Sequence, residues 1–181
     1  MSFTTLENVR MFLSKPSLDP DTELPLIELL IRCVGGVIEN YCGWPILAKS
    51  YIRKYSGDGT KLLDLGVHPL NVVTSCMIGE EERIGDVTVS YEDGELYMDS
   101  TSFTSGTRNI TVTFNAGYIN PPQDLVYAAT WMVCHNYRLV DEESIGVKSE
   151  SFQKLQVDFD PGELPPFVQR VLDRYKKVKV Y

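Results

Sequence analysis

Apolar residues recur at helical spacing towards both ends of this 181-residue chain and at a spacing of two through its middle. Leu6, Val9, Phe12 and Leu13 predict a short first helix. Thr4-Thr5-Leu6-Glu7 ahead of it has the spacing of a capping box, with Thr4 as the cap. Lys15-Pro16 ends that helix, and Asp19-Pro20-Asp21-Thr22 opens a second, with Pro25 in a first turn that needs no proline amide. Leu24, Ile27, Ile31, Val34, Ile38 and Tyr41 form one apolar stripe, and Leu26, Leu30, Cys33 and Val37 another. Two stripes predict burial on most sides. Gly35-Gly36 lies mid-helix at a cost in helix stability. That cost predicts close approach of another element, a neighbouring subunit being one candidate. Gly43 predicts a left-handed stop, and Trp44-Pro45 turns the chain away.

From Ile46 to Ala116 the pattern alternates. Ile46–Tyr55, the turn Ser56-Gly57-Asp58-Gly59-Thr60 and Lys61–Leu65 read as a hairpin. That glycine-rich turn lacks the Gly-Lys-Ser/Thr ending of a phosphate loop and opens no helix, so it is assigned to turn geometry. Val67-His68-Pro69-Leu70 is a crossing, and Val72–Ile78 a further strand. Glu80-Glu81-Glu82 with Gly85-Asp86 predicts an acidic loop. Val87–Tyr91 and Glu95–Met98 flank Glu92-Asp93-Gly94 as a second hairpin. In Asn109–Asn115, Ile110, Val112 and Phe114 share one face, with Thr111 and Thr113 on the other.

Helical spacing then returns. Asn120 is the expected cap of a third helix, with Pro121 at its first position. Leu125, Ala128, Ala129, Met132 and Leu139 give its core face, which Tyr127, Trp131 and Tyr137 enlarge. Asp141-Glu142-Glu143-Ser144 breaks the pattern as an acidic loop. Leu155, Val157 and Phe159 alternate in an extended arm, and Leu164–Lys176 predicts a last helix. This order is α+β rather than the βαβ alternation of a parallel sheet. The expected architecture is a helical bundle of about four helices, with a small antiparallel β-hairpin domain inserted between helices two and three. Its segments are N-terminal helices (1–44), a β-rich hairpin region (45–117), and a helix, extended arm, C-terminal helix and tail (118–181), in one compact domain overall.

Composition narrows the function. The net charge is −8. Residues 163–181 hold five Lys and Arg against Glu163 and Asp173, a net +3, which leaves −11 on the other 162 residues. An acidic body disfavours tight wrapping of DNA, because phosphate affinity rests on Lys and Arg. The basic tail has two readings: cations placed at a helix C-terminus, or a docking segment for an acidic partner. No apolar run approaches the ~20 residues of a membrane helix. The N-terminal residues lack a basic segment followed by an apolar core, so synthesis in the cytoplasm is expected.

Candidate chemistry is sparse. Cys33, Cys42, Cys76 and Cys134 stand far apart and read as reduced, mostly buried thiols. Zinc would need ligands paired at short spacing, which the two histidines, His68 and His135, do not supply. Neither histidine lies near a nucleophile motif such as G-x-S-x-G. The acidic runs read as solvated loops without a site to raise a pKa. No calcium-loop spacing is present. No metal site, cofactor or catalytic residue is therefore expected.

Five short motifs, in order, carry a resemblance. Tyr41-Cys42-Gly43-Trp44-Pro45 closes the second helix. Tyr55-Ser56-Gly57-Asp58-Gly59 is followed by Leu63, Leu65 and Pro69. Ala116-Gly117-Tyr118 leads to Pro122 and Asp124-Leu125. Gly146–Ser151 follows the third helix, and Pro165–Tyr175 closes the chain. From about Leu24 to Tyr175 this order resembles the head–tail connector (adaptor) proteins of tailed bacteriophages. An additional first helix and a long Met77–Phe103 segment depart from the simplest pattern.

The resemblance implies a non-enzymatic virion protein at the head–tail interface, made in the host bacterial cytoplasm. It implies a homo-oligomeric ring, typically of about twelve copies, between the portal protein and a stopper or tail protein. Genomic DNA would pass through without sequence-specific binding, and no membrane is involved. Portal docking is expected of Arg170, Arg174, Lys176, Lys177, Lys179 and Tyr181. Subunit contacts are expected of Gly35, Gly36, Gly146, Val147, Lys148, Ser149, Glu150 and Ser151. The acidic loops Glu80, Glu81, Glu82, Asp141, Glu142 and Glu143 are expected to face the lumen or a partner. The alternatives are another neck or tail-completion protein, or a small cytoplasmic enzyme.

Overall fold

The computed structural model describes residues 2–144 and 164–176. Among these, four helices and two antiparallel sheets make the chain α+β. Helices α1 (Leu6–Leu13) and α2 (Glu23–Cys42) come first. Seven strands follow: β1 (Lys49–Gly57), β2 (Leu62–Asp64), β3 (Leu70–Ile78), β4 (Glu81–Glu82), β5 (Val87–Ser90), β6 (Glu95–Met98) and β7 (Gly106–Ala116). Helices α3 (Gln123–Ser144) and α4 (Pro166–Asp173) close the order. The chain divides into two units. Unit 1 joins Met1–Ile46 with Pro121–Tyr181, and unit 2 is Leu47–Asn120.

Unit 1 packs around α3, whose Leu125, Ala128, Ala129, Met132, Val133 and Tyr137 are buried. The first cap falls one residue later than its spacing predicts. The Thr5 hydroxyl accepts from the Asn8 amide at 3.3 Å. Thr4 is instead buried, its hydroxyl 2.6 Å from that of Thr130 on α3. Thr130 donates to the Val126 carbonyl at 2.7 Å, so the two hydroxyls satisfy each other in the core. Ser14 at φ +56° ends α1, its amide reaching the Arg10 and Met11 carbonyls.

Helix α2 opens after an Asp19 turn, in which that carboxylate accepts from the Asp21 and Thr22 amides. Its buried residues form one stripe: Leu26, Ile27, Leu30, Val34, Ile38 and Cys42. Pro25, Leu29, Arg32, Gly36 and Asn40 line a solvent face, so α2 is amphipathic rather than buried on most sides. Gly43 stops it in the left-handed conformation, as the sequence predicts. Helix α3 starts at Gln123, not at Pro121. The Pro122 carbonyl accepts from Val126, so Asn120 is not its cap.

A three-part polar lock ties the α1–α2 connection to α3. Lys15 Nζ donates to Glu23 Oε1 (2.7 Å) and to the Tyr137 hydroxyl (2.8 Å), and Tyr137 donates to the same Glu23 oxygen. The Asp19 amide donates to Glu23 Oε2 at 2.8 Å. These bonds, that from Lys15 foremost, pull the Glu23 carboxyl from 4.5 to about 2.

Unit 2 departs from the two-hairpin expectation. The β5–β6 hairpin forms, with Val87 opposite Met98. Strands β1 and β2 do not pair with each other. β1 runs antiparallel to β7, with Tyr51 opposite Phe114, while β2 joins β6. The sheets are β1-β7-β3-β4 and β2-β6-β5. The reason lies in β7. Its Ile110, Val112, Phe114 and Ala116 are buried on one face, and both neighbours must match that face. Leu63, Leu65, Val67, Leu96, Met98 and Phe103 complete the same core.

Three motif residues, Tyr55, Gly117 and Tyr118, have plain local work in this unit. The Tyr55 hydroxyl donates to the Leu65 carbonyl at 3.0 Å. Gly117, at φ +108°, donates its amide to Pro69, and Tyr118 accepts from the Ala48 amide. Gly94 combines φ +73° with a close approach, since a Cβ there would lie 2.1 Å from the Val67 carbonyl oxygen.

Two predictions follow from these contacts. Gly94→Ala should destabilise the protein by about 2–4 kcal/mol. Gly59→Ala, at φ +86° in open space, should cost only about 1 kcal/mol. Urea midpoints compare the two variants. Because the Glu23 pKa is depressed, its stabilising contribution is complete above pH 4.5 and is lost as pH falls towards 2. Glu23→Gln should lower stability at pH 6 by about 1 kcal/mol. It should also flatten the loss of melting temperature between those pH values, measured by calorimetry.

Candidate assembly surface

The end of α4 meets the end of α2 through the Tyr41–Pro45 motif. The last carbonyls of a helix have no partner within it. The Cys42 thiol donates to the Leu172 carbonyl (3.6 Å), and the Trp44 indole donates to that of Tyr175 (2.7 Å). The Tyr41 hydroxyl donates to Asp173 Oδ1 at 2.8 Å, a bond that raises its own pKa. From the other side, the Tyr175 hydroxyl donates to Asp124 Oδ1 at the start of α3 (2.7 Å). Three donors within four residues of α2 and its exit thus hold the short last helix, whose Val168 and Leu172 are buried, as is Leu164 just before it.

The described basic candidates cluster at this corner. Arg174 Nη1 lies 3.7 Å from Asp124 Oδ2, and Lys176 Nζ sits 4.5 Å above the Tyr41 ring and 4.0 Å from Asp173. Arg170, exposed, bonds back to the Pro166 carbonyl at 3.2 Å. Their charges therefore serve the local fold while their side chains stay accessible; that of Arg174 is 71 % exposed. Lys177, Lys179 and Tyr181 lie outside the described residues, as do Gly146–Ser151 and the arm to Phe159.

The acidic candidates occupy different settings. Glu81 and Glu82 form strand β4 rather than a loop, after a turn at Glu80. Glu82 is engaged within the fold: its carboxylate accepts from the Ser75 hydroxyl (2.6 Å), the Cys76 amide (2.8 Å) and the Ile84 amide (3.2 Å). These bonds, that of Ser75 first, hold it below the usual carboxylate range. Arg83 reaches Asp86 (2.5 Å) and Glu81 (3.4 Å). Asp141, Glu142 and Glu143 continue α3 to Ser144 instead of forming a loop. No glycine or proline interrupts the helix there.

Gly35 and Gly36 differ. A Cβ on Gly35 would touch the Phe3 ring at an ordinary 3.8 Å, whereas one on Gly36 would meet nothing within 4 Å. Gly35 thus faces Phe3 at ordinary packing distance rather than in a close approach, and Gly36 lies on the solvent face of α2.

The sequence places Tyr127 and Trp131 on the packing surface of α3, but not the aromatic band they form with His135, Phe12 and Phe167. Tyr127, Trp131 and His135 follow one another at helical spacing on α3. Phe167 meets Trp131 edge-on at 5.2 Å, and Phe12 meets Tyr127 at 6.1 Å. Their i, i+4, i+8 spacing was the available signal. His135 stacks on Trp131 at 4.8 Å, a packing role rather than that of a base.

Among the described residues no group of three or more His, Cys, Asp or Glu could hold a metal ion. Burial pushes the Cys42, Cys76 and Cys134 thiols up to about 11, so they are inert at neutral pH.

A family model described as head completion protein matches residues 2–178. The chain belongs to the head completion protein family. Its role is structural, not catalytic. No curated protein matches it. Among solved structures it is similar to a chain in the neck of an empty gene transfer agent particle computed with C6 symmetry. The TM-score there is 0.64 at 13 % identity, over 97 % of this chain and 90 % of that one. A chain in the neck of the native particle, computed with C12 symmetry, gives 0.61 at 16 %, with the same coverage. A chain in the native virion gives 0.58 at 14 %, over 100 % and 96 %. These three share its fold.

In this head completion protein, Gly36→Ala should raise the stability of the isolated chain by about 0.5–1 kcal/mol, because a helical glycine is replaced in open space. Thermal melts of dilute protein check it.

Proposed function

We propose that this head completion protein forms a homo-oligomeric ring in the neck of a virion, between the portal and a stopper or tail protein, and extends the DNA channel. The family match over residues 2–178 carries the reading. The necks in which its fold recurs were computed with C6 and C12 symmetry, which favours a twelve-fold ring. The acidic body suits a conduit, since a basic lumen would hold phosphates. Synthesis takes place in the host cytoplasm, and the β-rich unit 2 acts as an insertion between α2 and α3.

Particles made without the chain should fill with DNA but lack tails, and the added protein should restore tail attachment. Normal tailed particles in its absence, seen by electron microscopy, would overturn the reading.

Portal docking is assigned to Arg170, Arg174 and Lys176 with Lys177, Lys179 and Tyr181. Removing everything from Leu164 onward would also strip three buried core residues from unit 1. The cleaner variant ends at Lys176 and carries Arg170→Gln and Arg174→Gln. It should bind isolated portal at least about tenfold more weakly, with a reduced salt dependence. Unchanged affinity would sink the assignment. Gly36 and the Gly146–Ser151 block are assigned to subunit contacts. Glu80–Glu82 and Asp141–Glu143 are assigned to the lumen or partner side. A different neck or tail-completion position remains the second reading, and portal binding separates the two.

A further inference from the structure

The four-stranded sheet of unit 2 has two open edges of opposite charge. At one edge, β1 pairs with β7 alone. Every second residue of such a strand turns its N–H and C=O to the free side. Strand β1 carries Lys49, Arg53 and Lys54 and no carboxylate. Arg53 folds over the Tyr51 ring at 4.6 Å, but Lys49 and Lys54 are exposed, with no carboxylate partner among the described residues. Between them Ile52 is 76 % exposed. Lysines commonly blunt an edge strand against pairing, whereas an exposed isoleucine between them does the opposite.

At the other edge, β4 covers only Met77 and Ile78 of β3. Val72–Ser75 has no described strand on the side away from β7. Here residues 80–86 carry Glu80, Glu81, Glu82 and Asp86 against Arg83 alone. Val72, 42 % exposed, is the apolar counterpart of Ile52.

We propose that the β1 edge of one copy docks along the β3–β4 edge of the next copy, the positive edge of Lys49, Arg53 and Lys54 meeting the negative edge of Glu80, Glu81 and Asp86. The two surfaces differ, so the contact is head-to-tail, and a head-to-tail contact is the kind that generates rings. The inference rests on the ring reading above; it adds the two sheet edges to the subunit contacts and moves Glu80 and Glu81 from the lumen or partner side to the boundary between copies.

Two charge-reversed chains test it. Lys49→Glu with Lys54→Glu makes both edges acidic, and Glu80→Lys with Glu81→Lys makes both basic. All four side chains are exposed, and matching thermal melts verify that each variant folds. Sedimentation velocity reads assembly. The wild type should self-associate, more weakly at high salt. Each variant alone should need at least about tenfold more protein to do so, because like charges would face each other. An equimolar mixture should recover assembly, as should a chain carrying all four substitutions. A wild type that assembles while the variants assemble equally well, or variants whose mixture stays apart, overturns the edge pairing and leaves the ring reading standing. A wild type that stays monomeric counts against the ring reading and this pairing together.

Discussion

Strand β7 is the constraint on which unit 2 depends. It is the longest strand, and it holds β1 on one side and β3 on the other. Its alternation places Ile110, Val112, Phe114 and Ala116 on the core face and leaves threonines opposite. Once that face is fixed, a slip of one residue in either neighbour would expose its apolar set. Both open edges of the sheet exist because the strand with the strongest pattern sits inside. Unit 1 has a comparable centre in α3, which receives the Thr4 hydroxyl and the Lys15–Glu23 pair from the N-terminal segment.

Much of this was legible in the chain. Helical spacing located all four helices, Gly43 was read correctly as a left-handed stop, and alternation found the main strands. The errors share a cause: sequence favours the nearest partner. Ile46–Leu65 reads as a hairpin because Gly57-Asp58-Gly59 is a good turn, yet β1 pairs with residues some distance along the chain. Thr4 fits a capping box, yet a buried hydroxyl on α3 claims it and Thr5 takes the cap. Glu82 sits in an acidic run that suggests a solvated loop, yet its carboxylate accepts from the Ser75 hydroxyl and Cys76 amide of β3 and from the Ile84 amide. For β1 and Thr4 a tertiary contact outweighed a local signal that was itself chemically sound; for Glu82 the contact is with its own neighbouring strand.

The candidate assembly surface was less legible for a different reason. A motif such as Tyr41-Cys42-Gly43-Trp44-Pro45 identifies a family without revealing what its residues do. The structure supplies the reason for that combination: a phenol, a thiol and an indole, all donors, aimed at the end of one short helix. The charge asymmetry of the tail could be counted, but its division between intramolecular pairing and free surface could not. Arg174 and Lys176 do both. Opposite charges on the two edges of one sheet become visible only once the strand order is known.

The division of the chain has a temporal consequence. Unit 2 is one continuous stretch, Leu47–Asn120, whereas unit 1 needs both ends of the sequence. On a ribosome, where the N-terminal part emerges first and domains fold as units, the sheets can close while α1 and α2 still wait for α3 and α4. Helices of eight residues, as α1 and α4 are, hold little structure by themselves. Completion of unit 1 therefore waits for α4, and the corner where Trp44 grips the Tyr175 carbonyl is among its last pieces to form.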